Sequence, residues 1–113
     1  MAASATISST FTIACTLDAP AAHVITNPGR AFRVVGVEVY NAGGTPDVTL
    51  AGAADIAATQ QAATNAWKSL ALTEANCEVA KDQNLTLTNA NVSTTRVLIQ
   101  CVASGGGQAV SIT

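Results

Sequence analysis

Charge is what this sequence has least of. Only 11% of its residues are Asp, Glu, Lys or Arg, against roughly 25% in an ordinary globular domain. The five cations, Arg30, Arg33, Lys68, Lys81 and Arg96, are scattered, and the net charge is −2. Nucleic-acid binding needs a basic patch or stripe, so that class is set aside. Aromatic residues are almost as scarce, at 4%. No apolar run approaches the roughly 20 residues needed to cross a bilayer as a helix, so no membrane partner is expected. The start, Met1-Ala2-Ala3-Ser4-Ala5-Thr6, has no basic segment followed by an apolar one and does not read as a secretory signal.

Reactive groups are scarce too. His23 is the only histidine, and a Ser-His-Asp or Cys-His device would have to use it. It stands between turns, beside Val24 and Ile25, where a lone histidine is structural or exposed. Cys15, Cys77 and Cys101 form no CxxC pair, and with His23 they do not have the spacing of a zinc site. Each lies in a strand-like alternation and reads as a small buried hydrophobe. A Cys15–Cys101 or Cys77–Cys101 disulfide stays open. The seven acids form no DxDxDG calcium loop. Gly105-Gly106-Gly107 lacks the Lys-Ser/Thr of a phosphate loop and reads as a hinge. The sequons at Asn84 and Asn91 read as chance in a chain rich in Asn and Thr. No catalytic, cofactor-binding or metal-ligating residue is assigned, and an enzyme is not expected.

What the chain does have is alternation with a period of two, the mark of half-buried strands. Phe11, Ile13, Cys15 and Leu17 share one face, and Thr10, Thr12 and Thr16 share the other. A short apolar piece at 23–26 leads to the turn Asn27-Pro28-Gly29. The longest strand is predicted over 31–40, with Val35, Val37 and Val39 on one face and Phe32, Val34 and Tyr40 on the other. Gly36 marks a bulge or close approach within it. After the turn at 41–46, Val48 and Leu50 alternate. The Ala-, Thr- and Gln-rich stretch 51–66 fits a short helix and a weak strand equally. Leu70 and Leu72 then share a face, Cys77 and Val79 follow, and 81–84 is a polar turn before the strand at Leu85. Residues 89–95 read as a polar loop. Arg96 to Val102 is a strand with Val97, Ile99 and Cys101 on one face, and Val110 with Ile112 makes the last. About eight short strands at this spacing predict an all-β, Greek-key or jelly-roll β-sandwich. With 113 residues and no linker, the expectation is one domain over 1–113.

Much of the 49% apolar content is alanine, which buries little area. At about 25 cal/mol per Å² such a core is thin, so a homo-oligomer or a larger protein surface is expected to supply further burial. Trp67 could anchor a partner or stack on a sugar, but the shortage of core bulk favours its burial.

The segment Phe32-Arg33-Val34-Val35-Gly36-Val37-Glu38-Val39-Tyr40-Asn41, a Gly-rich turn, and Pro46-Asp47-Val48-Thr49-Leu50 are similar in pattern to small virion proteins of tailed bacteriophages. So is Val79-Ala80-Lys81-Asp82-Gln83-Asn84-Leu85-Thr86-Leu87, although Lys-Asp-Gln-Asn replaces the glycine-containing turn found there. The low charge, abundance of Ala and Thr, and leaderless start also resemble capsid decoration (cement) proteins. That resemblance implies a jelly-roll or sandwich, often trimeric, that sits on the capsid exterior, contacts capsid protein subunits and is made in the host cytoplasm. Two other classes stay open: a fibre-tip or carbohydrate-binding β-sandwich using Trp67, Tyr40 and polar loops, and a pilus or surface-fibre subunit.

Overall fold

In a computed structural model of the chain, the described residues are 5–7, 10–27, 29–43, 47–61, 65–90, 94–103 and 108–110. They fold as an all-β sandwich of two antiparallel sheets, with a separate two-stranded ribbon. The strands are β1 (Ala5–Ile7), β2 (Thr10–Leu17), β3 (Ala21–Ile25), β4 (Phe32–Asn41), β5 (Asp47–Ala51), β6 (Asp55–Gln61), β7 (Trp67–Ser69), β8 (Glu78–Val79), β9 (Leu85–Asn89), β10 (Thr95–Ala103) and β11 (Gln108–Val110). A single 3₁₀ turn, Glu74–Asn76, lies between β7 and β8.

The first sheet runs β2-β10-β4, and the far edge of β4 is shared by β7 and β8. The second runs β3-β9-β5-β6. If β7 and β8 are counted as one interrupted strand, these are the eight positions of a jelly roll, with chain neighbours alternating between sheets except for β5 and β6, which form a hairpin within the second. The expected fold class is therefore the observed one. The ribbon pairs β1 with β11, Thr6 opposite Ala109, and follows on from the β2–β10 ladder.

Alternation decides which residues enter the core. Val97 and Ile99 of β10, Val48 and Leu50 of β5, and Leu85 and Leu87 of β9 are buried between the sheets. β4 departs from the expected division into two apolar faces. Gln100 pairs with Gly36 and Cys101 with Val34, which leaves Val35 as an extra residue. This bulge shifts the alternation by one. Phe32, Val34, Val37 and Val39 consequently all face the core, while Val35 is 50% exposed. The far edge breaks opposite the bulge: β7 pairs with 38–40 and β8 with 32–33.

The ambiguous stretch 51–66 contains strand β6, not a helix. Its ladder with β5 is irregular, so adjacent Ile56 and Ala57 are both buried. The expected polar loop at 89–95 is shorter at both ends, and residues 91–93 of it lie outside the described residues. Asn89 ends β9 and Thr95 begins β10, and both are buried. Asn41 Nδ2 donates to Thr95 Oγ1 at 2.7 Å, and Thr95 Oγ1 donates to Asn89 Oδ1 at 3.3 Å. Asn41 Oδ1 also accepts from Gly43 N at 2.9 Å. Three polar side chains thus tie β4, β10 and β9 together where the sheets meet. The turn after β3 is held by Asn27, whose Oδ1 accepts from Arg30 N and whose Nδ2 donates to Arg30 and Ala80 carbonyls. Gly29 sits there at φ 89°, where other residues are strained. The glycine hinge at 105–107 and the end of the last expected strand, with Ile112, lie outside the described residues.

Candidate functional site

The two seams of the sandwich differ. Along one, between β6 and the segment leaving β7, polar groups close the gap. Gln60 Nε2 donates to the Ala71 carbonyl, and Ala71 N donates to Gln60 Oε1, both at 2.8 Å. Thr73 N donates to Ile56 O at 2.8 Å, and Asn76 Nδ2 to Asp55 O at 3.0 Å. Gln60 in effect serves as a strand partner made from a side chain.

The opposite seam, between β2 and β3, is open. Phe11, Ile13 and Cys15 of β2 and Ile25 of β3 are only half-buried. Their cross-strand neighbours on β10, Cys101, Ile99 and Val97, are fully buried. A cavity of about 410 Å³ lies here against Phe11, Ile13, Ile25, Phe32 and Leu85. The rings of Phe11 and Phe32 meet edge to face at 5.4 Å, and the Arg30 guanidinium lies 5.4 Å from the Phe11 ring centre. The sequence carried a signal for this seam: Thr10–Leu17 has no charge, proline or glycine, the features that ordinarily protect an edge.

A third surface is the outer face of the first sheet. Register places Thr16, Arg96, Tyr40 and Trp67 side by side across β2, β10, β4 and β7. Trp67 is 47% exposed, which corrects the expectation that it fills the core. Pairing opposite Tyr40 sets it on the outer face, and the ring packs on Tyr40, with centroids 5.5 Å apart. A depression of about 380 Å³ is bounded by Tyr40, Ala42, Trp67, Thr94 and Arg96.

The reactive side chains are dispersed. His23 is half-buried, and its Nε2 faces the Ala19 carbonyl at 3.4 Å. All three cysteines are free, so neither disulfide is formed. Burial pushes the Cys101 thiol up to about 11 and raises Cys15 and Cys77 as well, the opposite of what a nucleophilic cysteine needs. Among the described residues no group of three or more His, Cys, Asp or Glu is gathered around a point where a metal could sit. Arg33 and Glu78 form a partly exposed ion pair at 3.3 Å that joins β4 to β8. The geometry offers surfaces: an open apolar seam and an aromatic–cationic shelf.

No protein-family model matches the sequence, and no curated protein matches it. Among solved structures, the chain is similar to a chain of the acidic stable capsid structure of Helicobacter pylori bacteriophage KHP30. The TM-score is 0.62 at 13% identity, over 97% of this chain and 100% of that one. At that identity the likeness is one of fold, and it runs end to end.

Proposed function

We propose that this protein is a structural virion component, a capsid decoration (cement) subunit, and not an enzyme. The observation that carries the reading is the end-to-end jelly-roll likeness to a chain of a phage capsid structure. That chain is matched over its whole length. Low charge, a seam left open and a shelf of Tyr, Trp and Arg, residue types that anchor protein interfaces, support it. The subunit binds the exterior of a capsid and joins neighbouring shell subunits by burying apolar and hydroxyl-rich surface. It does so as a homo-oligomer, and three copies is the order that the resemblance to decoration proteins implies. Particles assembled without this chain should rupture at lower temperature, or sooner on chelation, than complete ones. Unchanged particles would sink the cement role.

A second reading is favoured by one observation: Trp67 is exposed beside Tyr40. An exposed aromatic pair next to Arg96 suits stacking on a sugar ring, as in a fibre-tip or carbohydrate-binding module. Binding on a glycan array that disappears in Trp67→Ala would move the assignment to this class.

A further inference from the structure

The aromatic shelf carries an inference about what it holds, and it rests on the reading that its partner is a protein. Pairing sets Trp67 beside Tyr40, Tyr40 beside Arg96 and Arg96 beside Thr16, all on the outer face of the first sheet. This row crosses three strand spacings, about 14 Å. The Tyr40 and Trp67 rings are inclined at 44°, so with Ala42, Thr94 and Arg96 they bound a depression and not a flat platform. The charges around it narrow the choice of occupant. Among the described residues the Arg96 guanidinium makes no ion pair and no hydrogen bond. Asp18, which accepts from Thr94 Oγ1 at 3.2 Å, and Glu38, opposite Leu98, stand diagonally to it. Diagonal neighbours lie about 7–8 Å apart, inside the screening length of about 8 Å at physiological salt. Lys68, next to Trp67, alternates to the other side of β7. One cation against two carboxylates leaves the shelf net negative. An acidic ligand is therefore disfavoured, and the donor-only guanidinium is left for a neutral acceptor.

We infer that the shelf binds an extended, proline-rich segment of a partner protein, one without acidic residues. Aromatic-lined grooves take such segments because proline rings pack on Trp and Tyr side chains. A polyproline II chain rises about 3.1 Å per residue, so about four to five residues cover the row from Trp67 to Thr16. Its carbonyls have no internal partner and supply the acceptors that Arg96 lacks. Proline adds no backbone N–H that would need a partner of its own. The segment is stiff before it binds, so it loses little conformational freedom on binding. Under the capsid reading, the segment belongs to the shell subunit.

Trp67 is the only tryptophan, so its emission reports on the shelf alone. The test titrates the whole chain with two blocked peptides, Pro-Pro-Pro-Arg-Pro-Pro and Pro-Pro-Pro-Glu-Pro-Pro. The first should shift Trp67 emission saturably, with a Kd at or below about 1 mM. The second should bind at least about threefold more weakly, with a gap that narrows at high salt. Tyr40→Ala, with an unchanged far-ultraviolet spectrum, should weaken the first peptide about tenfold. The inference is overturned if the first peptide moves nothing, if the acidic peptide binds as well, or if Tyr40→Ala binds like the native chain. It is also overturned if methyl glucoside shifts Trp67 and the peptides do not, the result that the sugar reading expects. Failure of the peptides, with particles that still rupture earlier without this chain, would remove the shelf assignment and leave the decoration reading standing.

Discussion

Thr95 shows how much a single buried hydroxyl holds. It accepts from Asn41 and donates to Asn89, in a place from which water is excluded. Thr95→Val keeps the shape and removes one hydrogen bond from each of two buried amides. Losing hydrogen bonds to buried groups costs about 1–3 kcal/mol, so the variant should lose stability by that order in urea denaturation; a loss under about 0.5 kcal/mol would mean that the network is idle. From sequence, Asn89 and Thr95 read as loop residues because polar side chains are usually exposed. Only their mutual hydrogen bonds make burial tolerable, and a pairing across the chain leaves no local trace. Cys101 gives a pH signature at the same scale. Burial raises its thiol from the ordinary value of 9.0 to about 11. Between those values the unfolded chain releases a proton that the folded chain keeps, so this contribution to stability is present below about pH 9 and is lost as pH rises toward 11. The urea midpoint should drop over that interval, and less steeply in Cys101→Ala; equal slopes would contradict the assignment.

Among the elements, β4 was the most legible in position and the least in facing. Its extent and the irregularity at Gly36 follow from the run of valines. Which valines face the core depends on Val35 being squeezed out against β10, a fact about the pair and not about the strand. β6 was illegible for a related reason. Ala, Thr and Gln suit helix and strand alike, and the choice is made by pairing with β5 and by Gln60 reaching Ala71. Gln60→Ala should cost about 1 kcal/mol, and should speed hydrogen exchange at the Ala71 amide while leaving β10 amides protected. No change at Ala71 would mean that this seam is held by the backbone alone. Trp67 faces outward because β7 sets it opposite Tyr40 on the outer face of the sheet, a pairing that scarce core volume does not reveal. The faces of edge strand β2 are legible residue by residue; that none of the described strands pairs with its far side is a property of the topology.

The whole molecule is a small jelly roll with one seam closed by amides, one left open and apolar, and an aromatic shelf on an outer sheet face. The alternation in its sequence leads to the same architecture, and the likeness in fold to a chain of a phage capsid structure runs over 97% of it. Among the described residues no group of metal-ligating side chains is gathered, and the distinctive features are surfaces. We propose that these surfaces bind a capsid. Quantitative mass spectrometry of purified particles from the source of this sequence should find this chain in fixed proportion to the shell subunit in complete particles, with removal by surface protease treatment of intact shells. Its absence from purified particles, or a trace amount that varies between preparations, would contradict it.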